Sequence, residues 1–186
     1  MGRLENLTLI RAIVRTVIMA NMKNNPATRH TVMKHVTSEF GVSERSFAKA
    51  LAQIDDSGIL VKNKAEFLLD DLTARGKRRK GVRTELIIDI PEAIKRLLAI
   101  WSEQLISGFD NYPEEVRGFM ARKYAIFKSN ELLGELEMAK EALDKWGRSG
   151  NGSMTPGEMV YWNVVSYRVM DYISELREKN RSAIEN

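Results

Sequence analysis

The 186-residue chain is 44% hydrophobic and 29% charged, the balance of an ordinary globular protein with one substantial core or two small ones. It has no cysteine, which excludes a disulfide framework, a thiolate zinc site and a cysteine nucleophile. The net charge of +4 is unevenly spread: residues 1–100 carry 18 Lys and Arg against 11 Asp and Glu, and residues 101–186 carry 11 against 14. A basic first half points to contact with a polyanion there, and the acidic second half does not.

Leu7, Ile10, Val14 and Val17, with Ile13 and Ile18 beside them, form one apolar helical stripe. Arg11 and Arg15 interrupt this stretch, so it reads as an amphipathic helix and not as a signal peptide. Gly2 is followed by Asn6 where a myristoylation site wants Ser or Thr. No run approaches a membrane span, and a cytoplasmic location is expected. Asn24-Asn25-Pro26 stops the first helix. A second follows, with Val32, Val36 and Phe40 at four-residue spacing and Gly41 as its C-terminal cap. Ser43 caps a third, in which Phe47, Leu51 and Ile54 face inward before Gly58 ends it.

Beyond Gly58 the period changes. Ile59–Leu72 reads as extended, and Leu86, Ile88 and Ile90 alternate with Glu85, Ile87 and Asp89 as a strand with one buried face. Residues 73–83 lie between them and hold Arg75, Lys77, Arg78, Arg79, Lys80 and Arg83, so a hairpin with a basic tip is expected. Pro91 opens another helix, to about Ile106. A long helix runs from about Pro113 to Trp146, and Thr155-Pro156 starts the last one after a Gly/Ser-rich loop. The expected fold is mainly α with a small β-hairpin wing: residues 1–106 form a winged helix-turn-helix domain and residues 107–186 a helical dimerisation domain.

The order of these features suits double-stranded DNA. The third helix presents Ser43, Arg45, Ser46, Lys49 and Gln53 as hydrogen-bond donors, and an α-helix fits the major groove. Its N-terminus favours a backbone phosphate. The basic tip would neutralise phosphates and make binding salt-dependent. Met159, Trp162, Val169, Ile173 and Leu176 recur at helical spacings as a seam for a second copy, giving a homodimer that reads two half-sites.

The stretch from Thr28-Arg29-His30-Thr31-Val32-Met33 through Gly41-Val42-Ser43, with Leu51, Ile54 and Gly58-Ile59-Leu60, resembles the PadR-like winged-helix regulators. Arg78-Arg79-Lys80, then Leu86–Ile90 and the helix from Pro91, is similar to their wing, last strand and linking helix. The resemblance covers roughly residues 7–106. It implies a homodimeric transcriptional regulator, usually a repressor, with a helical dimerisation region. Two rivals stay open: a plasmid, phage or archaeal-virus partition or replication protein, and a winged-helix module that binds protein.

The other chemistry-bearing residues read as structural. His30 and His35 are five apart, off the spacing of two metal ligands on one helix face. Asp55-Asp56 and Asp70-Asp71 lack an accompanying His or further acids, and are expected to be solvated. Trp101, Trp146 and Trp162 read as core, not as an effector pocket. No catalytic constellation, metal site or cofactor motif is found, and an enzyme is not expected.

Overall fold

The computed structural model describes residues 3–72, 78–108, 112–148 and 153–185. Among these residues, six helices and one hairpin follow in the order α1 (Arg3–Met22), α2 (Arg29–Phe40), α3 (Glu44–Asp56), β1 (Leu60–Leu72), β2 (Arg78–Ile88), α4 (Ile90–Gly108), α5 (Glu114–Trp146) and α6 (Pro156–Glu185). They divide into two compact units, Met1–Asp89 and Ile90–Asn186. The division falls earlier than the boundary at residue 106 expected from sequence, because α4 packs with α5 and α6. The apolar stripe of α4 reveals that it has a buried face and not which helices bury it. Among the described residues, no helix is long and apolar enough to cross a membrane.

In the first unit, α1 supplies Ile10, Ile13, Val14 and Val17 to a core completed by Val32, Val36, Phe47, Ile54 and Ile59. Full burial of each such side chain contributes about 1.5–3 kcal/mol. Thr28 opens α2 with a reciprocal capping box: its Oγ1 accepts from the Thr31 amide at 3.2 Å, and its own amide donates to Thr31 Oγ1 at 3.0 Å. Gly41 closes α2 at φ 62°, a left-handed conformation that glycine adopts without a Cβ penalty. Two residues later, Ser43 Oγ accepts from the Ser46 amide at 3.2 Å and starts α3. A short linker with strong caps at both ends therefore sets the second and third helices against each other.

The strands β1 and β2 pair antiparallel, with Leu60 opposite Ile88, Lys62 opposite Leu86 and Lys64 opposite Thr84. Leu60, Leu86 and Ile88 are buried at the base of the hairpin, whereas Lys62, Lys64, Val82 and Thr84 further out are exposed. The base thus joins the core and the outer part leaves it. An isolated antiparallel bridge joins Thr28 to Glu85, and the Leu86 amide donates to the Ala27 carbonyl at 2.8 Å. Residues 27–28 therefore act as a rudimentary third strand beside β2. Asn21 at the end of α1 donates from Nδ2 to the Leu86 carbonyl at 3.1 Å, tying the first helix to the same strand.

The second unit is a three-helix bundle. Gly157 and Arg168 of α6 meet Ala142 and Glu135 of α5, so these two helices run antiparallel. Arg96 and Glu103 of α4 meet Tyr172 and Lys179 of α6, so those two run parallel. A Cβ on Gly157 would lie 2.4 Å from the Ala142 carbonyl oxygen, so the start of α6 approaches α5 as only glycine allows. Thr155 and Glu158 form the α6 capping box, with Glu158 Oε2 accepting from the Thr155 amide at 2.9 Å. Arg168 grips Glu135 with two bonds, of 2.6 and 2.8 Å, and reaches Asp171 at 3.1 Å. This cluster is mostly screened from solvent, and fixes the register of α5 against α6.

The α6 seam expected to form a dimer is filled from within the chain. Trp162, Val169 and Ile173 are buried, Leu176 is half-buried, and Met159 alone of the five is exposed. Spacing at three and four residues marks a buried helix face; here α4 and α5 bury it, and it is not available to a second copy. The tryptophans also part ways. Trp162 is core, Trp101 is half-buried with Lys128 Nζ 5.5 Å from its ring centroid, and Trp146 is exposed.

Candidate nucleic-acid interface

The face of α3 that points away from the core is the centre of the site. Phe47, Ala50 and Ile54 recur at spacings of three and four and are fully buried, so the helix is held from one side. Half a turn away, Arg45 and Lys49 are exposed one above the other, with Ala52 beyond them. The two cations make the middle of this face positive, with the exposed acids Glu44 and Asp56 at the two ends of the helix.

The other three residues expected on this face are placed differently. Ser43 is spent on the cap, and its Oγ lies 3.0 Å from Ser46 Oγ. Ser46 is half-buried in the first turn. Gln53 is also half-buried, its Oε1 accepting from Asn6 Nδ2 of α1 at 3.1 Å. That bond turns the amide towards α1, which makes Gln53 a brace between two helices. Sequence spacing puts Gln53 on the outward side but contains no trace of a partner 47 positions away.

A cavity of about 490 Å³ opens beside this face, between α1 and the link from α2 to α3. Leu9, Phe40 and Val42 give it an apolar floor, and Asn6, Arg45 and Lys49 border it. Phe40, expected inward from its spacing with Val32 and Val36, is 42% exposed and lines this cavity. The last turn of α2 has already left the core where Phe40 stands.

The hairpin is longer than the sequence suggests. Its tip is shorter, because β2 begins at Arg78 and not after Arg83. Of its described outer residues, Lys62, Asn63, Lys64, Glu66, Val82 and Thr84 are exposed, so no buried face imposes an alternation of apolar and polar residues there. Arg75 and Lys77 lie outside the described residues. Arg78, Arg79 and Lys80 lie in β2 by their backbone, and their side chains are outside the described set. Arg83 is half-buried on β2, and its Nε donates to Glu85 Oε1 at 2.7 Å, so part of its charge is neutralised within the strand. Pairing across the hairpin adds a cation that sequence reasoning passed over: Lys64, exposed opposite Thr84. Lys62 stands on the same face and is bound by Asp55 at the end of α3. This ion pair links the helix to the strand.

His35 faces Glu39 one turn on, 3.3 Å away at the surface. Among the described residues, no group of three or more His, Cys, Asp or Glu is placed to hold a metal ion. No family model matches this chain, and no curated protein or solved structure matches it either.

Proposed function

We propose that the first unit is a winged helix-turn-helix that binds double-stranded DNA, with α3 in the major groove and the β1–β2 hairpin as its wing. The observation that carries this reading is the pairing of an outward α3 face bearing Arg45 and Lys49 with a basic hairpin in the same compact unit. The Thr28–Glu85 bridge supports it, since it supplies the short third strand that a winged helix places before its second helix. Arg45 and Lys49 donate to base edges, where a good bidentate contact discriminates by about 1–3 kcal/mol. The cations of residues 75–80 neutralise phosphates, and each one neutralised releases a condensed counterion.

In this reading the chain is a homodimeric transcriptional repressor of the PadR-like type, acting in the cytoplasm by occluding a promoter. Two copies present two recognition helices to a pseudo-palindromic operator. Selection of bound duplexes from a random pool at two salt concentrations tests the proposal. A regulator enriches a palindromic site, and its affinity falls steeply with salt. A repeated array would favour a partition protein instead, and no enrichment would overturn sequence-specific binding.

A further inference from the structure

The cavity beside α3 lies within the first unit, and three separate stretches of chain build its floor. Helix α1 brings Leu9, the last turn of α2 brings Phe40, and the link to α3 brings Val42. Val32 and Val36 on the same stripe of α2 are closed off, whereas Phe40 keeps 42% of its surface in water. The core stops short at Phe40, and the cavity begins there. Its volume of about 490 Å³ falls within the range of roughly 300–1,000 Å³ that small-molecule sites occupy. Asn6, bound to Gln53 at 3.1 Å, holds the α1 wall against the α3 wall.

The rim is cationic. Arg45 and Lys49 stand one turn apart at the border of the cavity, and both are exposed. Among the described residues, neither is held in an ion pair and no carboxylate lines the cavity. Glu44 precedes Arg45 but points about 100° further round the helix. Elsewhere in the unit, Lys62 is matched by Asp55 and Arg83 by Glu85. A simple salt anion would satisfy the two rim cations and leave the floor wet. A neutral apolar molecule would cover the floor but take water from the cations with nothing in exchange. A carboxylate on an aryl or short acyl body does both jobs. The Arg45 guanidinium has the fork to bind it through two bonds, and the Lys49 ammonium adds a charge-assisted third.

We infer that this cavity binds a small organic carboxylate, its apolar body on Leu9, Phe40 and Val42 and its charge held by Arg45 and Lys49. A ligand held this way takes both cations from a duplex, so ligand and DNA exclude each other and the ligand releases the promoter. The site stands apart from the DNA-binding reading; the competition rests on it.

The test titrates the full chain with 2-naphthoate and follows methyl chemical shifts. Binding should move the signals of Leu9 and Val42. Arg45→Ala/Lys49→Ala should weaken it by roughly tenfold or more. Both side chains are exposed, so the double variant should keep its fold. Phe40→Ala should weaken it by roughly fivefold through loss of floor area. The two halves of the probe should each fail alone: 2-naphthylmethanol lacks the charge and acetate lacks the rings. Unchanged affinity in the double variant, equal binding of 2-naphthylmethanol, or shifts confined to the second unit would each overturn the inference. Duplex binding is measured separately by anisotropy, and then with naphthoate added. A chain that binds duplex but not naphthoate defeats the carboxylate site and leaves the DNA-binding reading standing. A chain that binds naphthoate through Arg45 and Lys49 but no duplex does the reverse. Duplex affinity unchanged at saturating naphthoate would overturn the competition.

Discussion

Helices α3 and α5 each turn one face inward and one outward, but their outward faces differ. That of α3 is charged, with Arg45 and Lys49 in solvent, so water satisfies it. The outward face of α5 is mixed, with Phe119, Ile126 and Phe127 exposed beside Lys123, Asn130 and Glu137. Exposed large apolar side chains scattered among charges are ordinary at a protein surface, whereas a helix face with its cations in solvent can meet a partner without losing an apolar contact.

Three substitutions probe this contrast, in order of expected effect. Ile54→Ala on the inward side of α3 should cost about 2–5 kcal/mol in denaturant unfolding, because the site is fully closed and a cavity remains. A cost under about 1 kcal/mol would mean that α3 is not anchored from its inner face. In the second unit, Gly157→Ala should cost about 1–3 kcal/mol, since the new methyl meets the Ala142 carbonyl and forces α6 away from α5. Thermal melts would read it, and an unchanged midpoint would contradict the close approach. The smallest effect belongs to Lys49→Ala, where stability should stay within about 0.5 kcal/mol of wild type. The same variant should lose sequence preference in duplex binding, which separates an outward functional residue from an inward structural one.

Much of the first unit was legible in its residues. Gly41 and Ser43 announced the break between α2 and α3, and both caps stand where their chemistry requires. The buried faces of α1 and α3 followed in the main from apolar spacing at 3.6 residues per turn, although in α3 Ala50 is buried and Leu51, expected inward, is half-buried. Spacing cannot reveal which surface buries a face. The seam on α6 is real, but α4 and α5 fill it, and Pro91 starts a helix that belongs with the second unit. Gln53 shows the same limit at the site, for its bond to Asn6 exists only once α1 and α3 are packed. The first half of β2 was not legible, because Val82 and Thr84 are exposed and no buried face imposes alternation there.

The central claim is that the hairpin grips the phosphate backbone while α3 reads the bases. The most direct measurement is the dependence of duplex affinity on salt, for wild type and for Lys77→Ala/Arg78→Ala/Arg79→Ala/Lys80→Ala. If all four side chains contact phosphate, the slope of log affinity against log salt should fall in magnitude by about 3–4. Affinity should fall for all sequences alike, with the order of preferred sites retained. An unchanged slope, with affinity close to wild type, would contradict the wing and leave α3 without its partner in binding.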